Sequence, residues 1–168
     1  MVKEFETTFL EALEQNEQKV LRICSAYSKD AEDTKDLFQE VLIQIWQSMP
    51  NFKSNSSLST WIFRITLNVC LRFRSKAIKK QKIFPQIKGN TMANLTSEKE
   101  YSEQNEQLVQ LRNCIKELNE ADKAVITLYL EELAYKEISN ILGLTENTVA
   151  VKVKRIKKKL LNCINQAS

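Results

Sequence analysis

What most constrains the fold of this chain is a shortage. Its 168 residues include only two glycines, Gly89 and Gly143, and two prolines, Pro50 and Pro85. Hairpin turns need residues that reach positive φ or pre-set a bend, so there is little chemistry here for β-structure. Helix is favoured throughout and an all-α fold is expected. Hydrophobic residues make up 43% and charged residues 27% of the chain, enough to bury a core in one domain or two small ones. No apolar run approaches the roughly 18 residues of a membrane span. The amphipathic, acidic start MVKEFETTFLEALEQ does not read as a signal peptide. No membrane insertion is expected, and a cytoplasmic location is.

The second glycine sits at an informative place. Tyr135 to Leu142 is a short amphipathic segment ending at Gly143, which suits a left-handed helix C-cap. Leu144 can staple the turn and Thr145 can cap a second helix. In that helix Val149, Val153, Ile156 and Leu160 form one apolar stripe, spaced 4, 3 and 4. Asn147, Val151, Lys154, Arg155 and Lys158 lie opposite, with Lys152, Lys157 and Lys159 on the flanks. Two helices joined by a glycine turn, the second basic outside, read as a helix-turn-helix with a recognition helix for the DNA major groove.

Charge is segregated along the chain. Residues 1–50 hold ten acids and five bases; residues 51–90 hold nine bases and no acid. Residues 91–150 hold eleven acids and five bases, and residues 151–168 hold six bases and no acid. Two acid-free basic blocks predict two separate contacts with a polyanion. There is no histidine, and Cys24, Cys70, Cys114 and Cys163 show no CxxC spacing. Zinc sites, catalytic triads and Cys-His dyads are thereby disfavoured, and the cysteines read as buried thiols of a reducing compartment. With no carboxylate cluster and no phosphate-cradling glycine loop, neither enzymatic activity nor a cofactor or metal is expected.

Periodicity predicts helices over Phe5 to Tyr27, Asp30 to Met49 and Thr60 to Ala77, with Pro50 ending the second. The polar loop Asn51 to Ser59 joins the second to the third. From Ile78 to about Glu103 the pattern lapses over a stretch too long for an ordinary loop, and residues 78–103 are expected to be a flexible linker. The period returns over Leu108 to Leu118 and Ala121 to Leu130, with Asn119 as a cap. Two small helical domains are expected, at 1–77 and 104–168. The basic third helix has two readings. Trp61 can be a core residue beneath a solvated arginine face, or the loop and helix can hold single-stranded nucleic acid by stacking and phosphate contacts.

DAEDTKDLFQEVLIQIW, NFKSNSSLSTWIFRITLN and LNEADKAVITLYLEELAYKEISNILGLTENTVAVKVKRIKKKL stand in an order and spacing that resemble bacterial RNA polymerase sigma factors of the extracytoplasmic-function (ECF) group, in the sigma-70 family. The resemblance implies core RNA polymerase, promoter DNA and an anti-sigma factor, soluble or membrane-bound, as partners. It assigns Asp36, Gln39, Glu40, Leu42 and Trp46 to polymerase binding. It assigns Asn55, Ser56, Ser57, Trp61, Arg64, Asn68, Arg72 and Arg74 to recognition and melting of the minus-ten element. Thr145, Asn147, Thr148, Ala150, Val151, Lys152, Lys154, Arg155 and Lys158 fall to duplex recognition at the minus-thirty-five element, with Lys157 on the backbone. Two departures stand out. The family often has an acid where this chain has Arg72. Ala150 and Val151 replace polar residues, so they cannot donate to guanine but can pack on a thymine methyl. The alternative reading is a stand-alone helix-turn-helix regulator, which would bind palindromic duplex sites without polymerase.

Overall fold

The computed structural model describes residues 2–83 and 103–167, and every regular element among them is helical. In chain order these are α1 (Val2–Tyr27), α2 (Ala31–Ser48), a 3₁₀ turn (Met49–Asn51), α3 (Leu58–Ile83), α4 (Glu103–Lys116), α5 (Glu120–Leu130), α6 (Tyr135–Leu142) and α7 (Glu146–Ala167). The all-α expectation holds. The third helix runs past its expected end at Ala77 to Ile83, because Ile78 to Lys82 contain no helix breaker. Residues 84–102, most of the expected linker, lie outside the described residues. Leu118 falls in the turn after α4 rather than inside it, as Glu117 and Leu118 close 3₁₀-type bonds to Cys114 and Ile115.

Local chemistry explains the helix ends. Asp30 caps α2 by accepting from the Asp33 amide at 2.8 Å, and Asn119 caps α5 by accepting from the Asp122 amide at the same distance. Pro50 cannot continue α2, and the chain tightens into the 3₁₀ turn with proline in its first turn. At Gly143 φ is +70°, and the amides of Gly143 and Leu144 both reach the Ser139 carbonyl.

Helices α1, α2 and α3 pack on one another, and α4, α5, α6 and α7 do the same around α7. The first group buries Phe9, Val20, Ile23 and Cys24 of α1 and Leu37, Val41 and Ile45 of α2. Ile62, Phe63, Leu67 and Cys70 of α3 complete that core. Each such side chain contributes roughly 1.5–3 kcal/mol by leaving water. Thr66 is buried beside them and its hydroxyl is satisfied by the Ile62 carbonyl at 2.8 Å. In the second group the expected stripe of Val149, Val153, Ile156 and Leu160 is buried against Val125, Ile126, Leu128, Ile138 and Ile141.

The cysteines depart from expectation. Cys24 and Cys70 are free and buried, but Cys114 of α4 and Cys163 of α7 form a disulfide, with Cα atoms 6.0 Å apart. Spacing alone did not pair them, because 49 residues of helix and turn separate the two positions.

Nothing lies within 4 Å of a Cβ built on Gly143, so the cost of a side chain there is purely conformational. Gly143→Ala is expected to destabilise the protein by about 1–2 kcal/mol with an unchanged m-value in urea unfolding, and Gly143→Asn by less.

Candidate functional site

The first basic surface is built on the start of α3 and the loop before it. Ser54 takes the left-handed region (φ 58°) and turns the chain. Ser57 caps α3: its hydroxyl accepts from the Thr60 amide at 3.1 Å and donates to the Thr60 hydroxyl at 3.0 Å. Its oxygen is therefore engaged by the helix, while Asn55 is exposed and Ser56 half-buried. Trp61 sits at the edge of the first core. It packs edge-on to Phe9 and Phe52, with ring centroids 5.5 and 5.3 Å away, yet keeps part of its surface open. Asn68 and Arg72 are exposed one turn apart on the same side. Arg74 instead turns away and is half-buried, which the two-residue step from Arg72 explains.

The second surface is the outer face of α7. Thr145 Oγ1 accepts from the Thr148 amide at 3.1 Å and donates to the Thr148 hydroxyl, fixing the helix start. Asn147, Val151, Lys154, Arg155 and Lys158 are exposed, with Thr148 and Ala150 half-buried beside them. Lys152 differs: it is only 26% exposed and its Nζ lies 3.7 Å from Asp122. Lys159 reaches the other Asp122 oxygen at 3.0 Å, and Lys157 lies over the Tyr129 ring at 4.5 Å. The Tyr129 hydroxyl, acting as hydrogen-bond partner, holds the Lys157 ammonium above its ordinary range.

A third surface is α2. Asp36, Gln39, Glu40 and Trp46 are exposed along one stripe, and Trp46 keeps 54% of its surface open. Leu42 does not join them; it lines a groove of about 300 Å³ between α1 and α2 with Leu10, Leu13 and Phe38, rimmed by Glu14 and Glu17. Ile43 was missed from the sequence. It is 51% exposed and stands between Gln39, Glu40 and Trp46 on the same stripe, which a helical projection at 100° per residue would have revealed.

The two helical groups meet. Arg22 Nε donates to both carboxylate oxygens of Glu131, at 2.5 and 2.7 Å, and Glu131 is almost wholly buried. Arg64 donates to the Asn140 carbonyl of α6 at 2.5 Å. Lys123 lies 5.0 Å above the Tyr27 ring and is 2% exposed. Burial pulls its ammonium below the ordinary lysine range; Glu120 opposes this, while Arg74 and Lys116 reinforce it. Lys116 is lowered by burial and then by Arg112, against Asp30 and Asp33. Burial likewise pushes the Tyr27 phenol far up. The junction therefore couples two specific contacts with crowded like charges beside a cavity of about 260 Å³ lined by Ile23, Leu111, Ile115 and Leu130.

This arrangement has known counterparts. Residues 12–80 match the family model of sigma-70 region 2, and residues 108–160 match that of sigma-70 region 4. The chain belongs to the sigma-70 family, in its ECF group. The RNA polymerase sigma factor YlaC of Bacillus subtilis is 25% identical over 147 residues, 85% of this chain and 84% of that one. The ECF RNA polymerase sigma factor SigW of the same species is 24% identical over 161 residues, covering 90% and 86%. Among solved structures, the sigma factor RpoE in complex with the anti-sigma factor NepR from Bartonella quintana has the same fold. It matches with a TM-score of 0.63 at 18% identity, over 97% of this chain and 98% of that chain. In this sigma-70 chain the region 2 match contains the α2 stripe and the α3 surface, and the region 4 match contains all of α5 and α6 and most of α7. No helix among its described residues is long and apolar enough to cross a membrane.

Asp122 restrains two lysines of α7, so Asp122→Asn should release both towards solvent. Each freed phosphate contact steepens the fall of log K with log salt by roughly 0.9. The expected result is a slope for weak, non-specific duplex binding that is steeper by about one to two, read by fluorescence anisotropy over a salt series.

Proposed function

We propose that this chain directs core RNA polymerase to specific promoters and helps open the DNA there, with no catalysis of its own, in the cytoplasm. The observation that carries this reading is the union of two different basic surfaces in one chain. The α7 face follows a left-handed glycine turn and has the shape and charge to enter a major groove. The α3 surface is acid-free, with a part-open tryptophan and small polar loop residues, which suits an unstacked strand better than a duplex. A factor holding both reads one promoter element closed and one melted, and that is the task of initiation.

Residues divide accordingly. Asp36, Gln39, Glu40, Ile43 and Trp46 form the polymerase-binding stripe, an exposed aromatic and isoleucine among polar groups, typical of a protein interface. Leu42 supports that stripe from the groove behind it. Asn55 and Ser56 make polar contacts to bases of the minus-ten element. Ser57 acts by holding the loop to the helix, and Asn68, Arg72 and Arg64 follow the phosphates. On α7, Asn147, Lys154 and Arg155 face base edges, Thr145 and Lys158 hold the backbone, and Ala150 and Val151 pack on thymine methyls. Lys152 adds positive potential from its position against Asp122. The stretch joining α3 to α4 is a linker between two domains.

Arg64 is engaged by the Asn140 carbonyl in the closed packing, so full use of the α3 surface requires α6 to lift away. The crowding of Arg74, Lys116 and Lys123 at the same junction lowers the cost of that separation. An anti-sigma factor, like the one bound to the RpoE relative, would act by stabilising a closed form.

Lys154→Ala with Arg155→Ala should reduce promoter-specific transcription at least tenfold and leave core-enzyme affinity within about twofold, since these side chains serve base and phosphate contacts worth roughly 1–3 kcal/mol each. Gln39→Ala with Glu40→Ala should do the reverse. The pair is compared by run-off transcription and by equilibrium binding to core enzyme. Equal loss of both activities in both variants would contradict the division of roles.

A further inference from the structure

Two of the four cysteines have a chemistry that promoter recognition does not use. Cys114 lies near the end of α4 and is 5% exposed, whereas Cys163 is half-buried and reachable from solvent.

 Cys163 sits in the last turns of α7, beyond Leu160. The bond between them ties α4 to the helix that carries the proposed duplex-reading face. Cys24 and Cys70 are fully buried and free.

We propose that Cys114 and Cys163 are a thiol–disulfide exchange site for small cellular disulfides of the glutathione class, closing and opening a clip between α4 and α7. One sulfur is accessible and its partner is buried next to it, the layout of an attacking and a resolving thiol. Reduced Cys163, as its thiolate, attacks one sulfur of the small disulfide; an S–S bond forms on Cys163 and one small thiol leaves. Cys114 then attacks the Cys163 sulfur, the mixed disulfide breaks and a second small thiol leaves. Two protein thiols are oxidised, one small disulfide is reduced to two thiols, and the two protons go with them. In a reducing compartment small thiols drive the same steps backwards. The Glu117 carboxylate oxygen, 3.7 Å from the Cys163 sulfur, disfavours the thiolate and so slows attack without blocking it.

The consequence lies in α4. It has little contact with α5 and is held mainly by α7, with a smaller contact to α1. The clip therefore decides how firmly α4 stays on α7. Its effect on promoter reading rests on the function proposed above; the exchange chemistry does not.

The test equilibrates the full chain with mixtures of reduced and oxidised glutathione, quenches with acid, alkylates under denaturing conditions and maps peptides by mass spectrometry. A single Cys114–Cys163 disulfide is expected, with Cys24 and Cys70 still alkylated. Amide exchange in α4 should be at least tenfold slower in the oxidised protein than in the reduced one. Cys163→Ser should abolish the difference, and Glu117→Gln should speed disulfide formation severalfold. Glutathione held on Cys163 without closure, a Cys24–Cys70 bond forming first, or equal α4 exchange in both redox forms would overturn the proposal. Promoter-dependent run-off with core enzyme, measured on both forms, separates the two readings: its absence from both contradicts the initiation role, whatever the exchange result.

Discussion

Helix α3 buries Ile62, Phe63, Thr66, Leu67 and Cys70 against α1 and α2, and that burial sets the direction of the basic groups around it. With those five positions committed to the core, Arg64, Asn68 and Arg72 are left on the outer side. Trp61 stays at the edge, packed on Phe9 and Phe52 but part-open. The loop before α3 is held by the same packing, through Ser57 at the helix cap and Phe52 against the tryptophan. A core built this way makes a surface that is rigid behind and basic in front. Preorganised contacts of that kind hold a flexible strand at lower entropic cost than mobile side chains would.

The junction between the two helical groups works by opposed forces. Arg22 on Glu131 and Arg64 on the Asn140 carbonyl draw the groups together, while Lys123, Lys116 and Arg74 crowd one another beside them. Breaking the contact to Glu131 would strand a buried carboxylate, which is costly, yet separation lets both partners return to water. A contact of this type is specific in its geometry and reversible as a whole.

Much of the fold was legible because the helices are regular and their punctuation is strong. Asp30, Asn119, Gly143 and Thr145 act where their chemistry says they should, and the α7 stripe is buried as its spacing requires. What escaped the sequence is tertiary. Nothing local says that Asp122 draws in Lys152 and Lys159, or that Cys114 meets Cys163 across 49 residues. Leu42 lines a groove while Ile43 is exposed for a related reason: neighbours in sequence face directions 100° apart on a helix, and only the position of α1 decides which is covered. Helix α3 outruns its apolar pattern to Ile83 because lysine and glutamine are good helix formers.

As a sigma-70 family member, this chain gives core RNA polymerase its choice of promoter. Run-off transcription with purified core enzyme on a library of promoter fragments tests it most directly. Discrete start sites are expected that need both core enzyme and this chain, and that disappear when Lys154 and Arg155 are both alanine. Tight binding to palindromic duplex sites without core enzyme, and no new start sites with it, would instead make the chain a stand-alone regulator.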